Sequence, residues 1–235
     1  MRTQEQITAI KNTQSDPKQL WDILHPRDVD ALLEYYNTSN NVEQKNTGPK
    51  VLYVKEGEGV IDHILKMLRH LYGNFSVRSA HYFDVEKPHI IHNDDSFDYP
   101  QCYKAFVIPL YVEGNTSDKA KFFVFDQSYY GGPAKFVNGE DVTSKPVHYN
   151  TFLTDYTNVQ DQAICGLDDL QLQYLTHLKP KWLEGLSVNR YFPWQIGSMI
   201  EFDSLNLHCS SDFNKAGITR KIGLSIFTEI ANAAV

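Results

Sequence analysis

The sequence predicts a mainly β domain flanked by helices, and three observations carry that expectation. The 235 residues, 42% of them hydrophobic, suit one sizeable core rather than a minimal module. Aromatic residues reach 13%, with 14 Tyr and 13 Phe, the large side chains that fill sandwiches and barrels. From residue 76 onward, short β-rich runs are separated by Gly, Pro, Asn and Asp, the punctuation of strands and turns.

Before that point the period is helical. Residues 18–24, after Asp16-Pro17, read as a helix, as do 27–36, with Val29, Leu32, Leu33 and Tyr36 apolar, and 60–71, with Ile61, Ile64, Leu65, Leu68 and Leu71. Residues 1–75 are thus expected as a helical layer buttressing a sheet formed by 76–235, all within a single domain. The strands are expected at 77–85, 103–112, 121–125, 197–202 and 219–230. Residues 167–178 have helical spacing and are expected as an insertion over the barrel mouth, beside the Gly- and Pro-rich loop 129–133. The Asn-rich 37–46 reads as a surface loop.

A net charge of -7 and a pI of 5.7 argue against nucleic acid as a partner, because phosphate backbones are bound by clustered Lys and Arg. Cys102, Cys165 and Cys209 are odd in number and widely spaced, without a CxxC pair, which fits a reducing, cytoplasmic setting. No apolar run approaches the length of a membrane span, and the polar N-terminus lacks the apolar core of a signal peptide. No membrane partner is expected.

The informative segment is 88–95, PHIIHNDD. In extended backbone a His-x-Asp pair points both side chains to one face, so His92 and Asp94 can share a metal. A third ligand is available in His208, which ends the β-rich run 200–208. Two imidazoles and a carboxylate on one face of an octahedron leave cis positions open, as non-haem Fe(II) oxygenases require. His89 lies three residues from His92, which a regular strand places on the opposite face, so it reads as a supporting or surface residue. Asp95 reads as a turn carboxylate.

The run 194–209, WQIGSMIEFDSLNLHC, followed by Arg220 and an apolar strand, resembles the distal motif of the 2-oxoglutarate/Fe(II)-dependent dioxygenase superfamily. The resemblance covers residues 80–230, and strands 103–112 and 122–127 look like those of phytanoyl- or prolyl-hydroxylase-like members. It implies a double-stranded β-helix, the jelly-roll barrel also found in cupins, with Fe(II) on His92, Asp94 and His208. It further implies 2-oxoglutarate as co-substrate and O2 as oxidant, with oxidative decarboxylation coupled to substrate oxidation. Family halogenases replace the aspartate with a small residue; Asp94 is present, so hydroxylation or a related oxidation is implied.

In this family a basic residue about ten positions after the distal histidine holds the far carboxylate of 2-oxoglutarate. Arg220, twelve positions after His208, fits and offers a bidentate guanidinium. Lys221 is its rival. Alternation puts Arg220, Ile222 and Leu224 on one face and Lys221, Gly223 and Ser225 on the other, without saying which faces inward. Ile222 stands where many members carry Ser or Thr, and Tyr103 or Lys104 is the expected substitute. Trp194 and Phe202 are expected in the barrel core, as are Tyr129 and Tyr130, although two tyrosines beside Gly131-Gly132 would also suit a lid. The expected substrate is a small molecule. Competing readings are a cupin-like metal protein without 2-oxoglutarate and a metal-free jelly-roll binding protein.

Overall fold

Alternation decides how the long strands are used. The strands β4 (Phe75–Val85) and β10 (Ile218–Ile230) carry apolar side chains on both faces, so each must be covered twice. In the computed structural model, which describes residues 3–45, 48–95, 102–133, 135 and 166–230, they lie side by side in a seven-stranded antiparallel sheet. Its order is β1 (Lys18–Leu20), β8 (Met199–Asp203), β5 (Cys102–Gly114), β10, β4, β3 (Lys50–Val54) and β2 (Glu43–Gln44). A second sheet joins β7 (Val188–Pro193), β6 (Lys121–Ser128) and β9 (Asn206–Ser210).

The two sheets face one another. Ala105, Val107, Ile200, Phe202 and Phe227 of the large sheet pack with Phe122, Val124 and Phe192 of the small one, together with Trp194 and Phe213. Trp194 and Phe202 are core residues, each 1% exposed, as their sequence context predicts.

The other face of the large sheet is covered by helices α2 (Pro26–Thr38) and α3 (Asp62–Tyr72), preceded in the chain by α1 (Gln4–Lys11). Helix α2 begins with Pro26 and a cap from the His25 ring, and its stripe of Val29, Leu32 and Tyr36 is buried. Helix α3 buries Ile64, Leu65 and Leu68. Both stripes meet Leu52, Tyr82, Phe106, Ile108, Ile222, Leu224 and Ile226, each such side chain contributing roughly 1.5–3 kcal/mol by leaving water.

Two expectations need correction. Residues 18–24 are not a helix: 18–20 form β1, paired with 199–201 along the otherwise open edge of β8, and Asp22 has φ 52°. Seven residues cannot nucleate a stable helix against that alternative. Of residues 167–178, expected to be helical throughout, only the short helix α4 (Asp169–Tyr174) is helical. Leu175 and Leu178, with Trp182 and Leu183 of α5 (Pro180–Leu183), pack on the outer face of the small sheet against Phe123, Phe125, Leu207 and Cys209.

The run 197–208 also divides into two strands. Gly197, at φ 79°, makes the turn before β8; Asp203 to Asn206 then turn the chain so that β8 joins the large sheet and β9 the small one. His208 therefore approaches from the sheet opposite to β8. Among the described residues no helix is long and apolar enough to cross a membrane.

Candidate metal centre

His92 and His208 are directly opposite one another. The His92 amide donates to the His208 carbonyl at 3.1 Å and the His208 amide to the His92 carbonyl at 2.9 Å, so the segment around His92 extends the small sheet along β9. Opposed residues of an antiparallel pair point to one side, and the two imidazole centroids are 4.1 Å apart. Asp94, two residues on, points the same way, and its amide is fixed by the Ser204 carbonyl at 2.9 Å. The His92 Nε2 lies 3.7 Å from Asp94 Oδ1 and the His208 Nε2 3.3 Å from Asp94 Oδ2.

Both ring orientations are set by the backbone. His92 Nδ1 lies 2.8 Å from the Ile90 carbonyl and His208 Nδ1 3.0 Å from the Asn206 carbonyl. A carbonyl only accepts, so each Nδ1 carries the proton and each Nε2 presents a lone pair. Burial supports the neutral form, holding His92 down at about 3 and His208 at about 4. Asp94 is pushed up by burial, a cost that a cation would relieve. One atom from each of the three residues lies within 4.8 Å of the others. Two neutral imidazoles and a carboxylate converging in this way form a donor set suited to a divalent metal.

His89 departs from expectation. The Ser210 amide donates to the His89 carbonyl at 3.3 Å, whereas a regular ladder through the His92–His208 pair would reach residue 90. The extra residue is a β-bulge. Ile90 and Ile91 consequently both turn to the outer cluster, while the His89 ring lies 4.1 Å from that of His92 on the inner side. The side chain of Asn93 points away from the cluster, donating to the carbonyls of Tyr129 at 3.3 Å and Gly132 at 3.1 Å, which ties the 129–132 loop to the His92–Asp94 turn. Asp95 accepts from the Cys102 thiol at 3.1 Å. Tyr130 donates to Gln14 at 2.9 Å.

Arg220 and Lys221 separate. Arg220 lies on the helix-covered face, where it makes two 2.8 Å bonds to Asp84, which also accepts from Tyr36 at 3.0 Å. It lines a polar surface hollow of about 330 Å³ with Lys50, Glu86, Glu113 and Thr219. Its guanidinium is therefore already committed, on the side away from His92, Asp94 and His208. Lys221 is on the inner face, 1% exposed, with its ammonium 4.2 Å from the centroid of Trp194 and 4.5 Å from that of Phe213. Burial lowers its pKa to about 7. Gly223, two residues along the same face, leaves room for this arrangement: a Cβ there would lie 2.6 Å from Phe83 and 3.0 Å from Trp194.

Tyr103 and Lys104 do not reach the inner face. Lys104 faces outward by alternation with Ala105, and a bulge in β5, between the pairs Phe227–Ala105 and Glu229–Cys102, brings Tyr103 to the same side. Tyr103 packs against the helix-side cluster. Lys104 forms a buried ion pair with Asp203, donates to Ser15 at 2.7 Å and lies 3.7 Å from Glu201. The expectation that either completes a carboxylate site conflicts with these partners.

Lys135 was not singled out by any local pattern. It is bridged to His92 on the side away from His208 and is half-buried, with burial lowering its pKa. Its place depends on pairing with a segment far away in sequence, which no motif encodes.

No protein-family model and no curated protein sequence matches the chain. Solved structures do. A prolyl-4-hydroxylase from Pseudomonas putida aligns at TM-score 0.53 and 11% identity, over 96% of this chain and 100% of that one. The non-haem α-ketoglutarate-dependent epimerase SnoN of nogalamycin biosynthesis aligns at 0.51 and 10%, over 97% and 82%. HygX from Streptomyces hygroscopicus, solved with nickel and 2-oxoglutarate bound, aligns at 0.51 and 9%, over 99% and 89%. The chain thus has the mainly β, jelly-roll-like fold of the 2-oxoglutarate/Fe(II)-dependent oxygenases.

Proposed function

We propose that this chain is an Fe(II)- and 2-oxoglutarate-dependent oxygenase that hydroxylates a small molecule. The observation that carries the reading is the convergence of two Nε2 lone pairs and the Asp94 carboxylate on one point between the sheets. The two sheets are read as the walls of a double-stranded β-helix, buttressed by α2 and α3. When bound, Fe(II) and 2-oxoglutarate supply the oxidising power, by consuming O2 and releasing succinate and CO2.

His92, Asp94 and His208 hold the metal, and the Ile90 and Asn206 carbonyls keep both imidazoles in the ligating tautomer. Lys221, rather than Arg220, takes the distal carboxylate of 2-oxoglutarate. Its ammonium is buried between two aromatic faces without a carboxylate partner among the described residues, and an anion brought there would regain a strong charge-assisted bond. Trp194, Phe213 and Phe83 exclude water from that end, strengthening the pairing.

The test is anaerobic addition of Fe(II) and 2-oxoglutarate to the purified protein. A metal-to-ligand charge-transfer band that vanishes in His208→Ala is expected; wild-type protein that binds Fe(II) without developing the band sinks the reading. Succinate release screened across a metabolite collection then identifies the substrate.

A further inference from the structure

His208, His92 and Lys135 are opposed residues on three adjacent segments of the small sheet. Opposed residues share a face, so the Lys135 side chain starts out on the inner side, next to His92. Among the described residues no carboxylate pairs with it, although it is half-buried.

An unpaired ammonium beside a dication is unfavourable unless an anion lies between or against them. On the reading above, the two charges of Fe(II) and that of Lys221 are matched by Asp94 and the two carboxylates of 2-oxoglutarate. Among the described residues, Lys135 is left over. We propose that Lys135 receives an anionic group of the primary substrate beside the metal, so that the substrate class is a small molecule bearing a carboxylate or phosphate. This inference rests on the proposed function and adds the chemistry of the substrate to it. His89, brought to the same side by the bulge, is placed to flank that group.

The experiment uses protein loaded with Ni(II) and saturating 2-oxoglutarate, which is inert to O2, titrated calorimetrically with inorganic phosphate and with acetate. Wild type is expected to bind at least one of these anions in the millimolar range, Lys135→Met to bind it at least tenfold more weakly, and Lys135→Arg to recover most of the affinity. The affinity for 2-oxoglutarate itself should be the same in all three. Equal anion binding by wild type and Lys135→Met, or none by wild type, overturns the proposal. Weaker 2-oxoglutarate binding in Lys135→Met overturns it too, assigning the lysine to the co-substrate. Failure of wild type to take up Ni(II) and 2-oxoglutarate is a separate result that removes the proposed function beneath it.

Discussion

Arg220 and Lys221 are consecutive residues of β10 whose side chains leave the strand in opposite directions, one to Asp84 under the helices and one between Trp194 and Phe213 inside the molecule. The pair separates two jobs that sequence alone confounds: holding the sheet to its helical layer and offering a cation to the interior.

Replacing each in turn should separate those jobs. Lys221→Met is expected to weaken 2-oxoglutarate binding by roughly 10- to 150-fold, corresponding to a charge-assisted bond of about 1.5–3 kcal/mol. Arg220→Met should leave that affinity intact but lower stability by about 3 kcal/mol, because Asp84, 4% exposed, loses its counter-charge. Isothermal titration and urea denaturation of the two variants read these outcomes; a large loss of 2-oxoglutarate affinity in Arg220→Met would reverse the assignment.

The lysine also sets a pH dependence. Burial brings Lys221 to about 7, so the empty site loses its charge as pH rises through neutrality. Binding an anion requires the charged form, and the dissociation constant for 2-oxoglutarate should therefore rise by up to tenfold per pH unit above about pH 7. Stability of the empty protein should move the other way. Between about pH 7 and the ordinary lysine value, the unfolded chain holds a proton that the folded chain has shed, so unfolding becomes harder as pH increases. A 2-oxoglutarate affinity that is flat from pH 6.5 to 9 contradicts the placement.

Metal binding should appear as stability. At a hundredfold excess over its dissociation constant, Mn(II) or Fe(II) should add about 2.7 kcal/mol to wild type, seen as a higher melting temperature that EDTA reverses. Asp94→Ala and His208→Ala should melt at a temperature that no longer responds to metal. If both variants keep the metal-dependent shift, the ion sits elsewhere.

Gly223→Ala tests the wall behind Lys221. The added methyl would fall 2.6 Å from Phe83 and 3.0 Å from Trp194, so both rings must shift, at a cost of about 1–3 kcal/mol. Since Trp194 is also the platform under the lysine, 2-oxoglutarate affinity should fall with stability. A variant as stable as wild type would mean that the aromatic wall yields freely.

The parts of the site legible in sequence were those with a local cause. His-x-Asp in extended backbone puts His92 and Asp94 on one face whatever surrounds them, and the β-rich run 197–202 announces β8. The helices with clear apolar stripes, α2 and α3, fall where their spacing predicts. The failures share a different origin. Residues 18–20 took the edge of β8 because an unpaired edge outweighs a weak helical pattern. His89 joined His92 through a bulge that appears only when register against β9 is known; Lys104 faces outward by alternation with Ala105, and another bulge in β5 brings Tyr103 to the same side.

What the sequence determined by itself is the set of alternations: which residues of a strand travel together, and which histidine and carboxylate can meet. What only the tertiary structure decided is which of two equivalent faces looks inward. A period of two has no sign, and the sign comes from the partner. Helices α2 and α3 bury Ile222 and Leu224, so Arg220 goes with them to Asp84 and Lys221 is left facing the centre. The same holds for Lys135, which stands beside His92 only because two distant segments pair along one row of the small sheet.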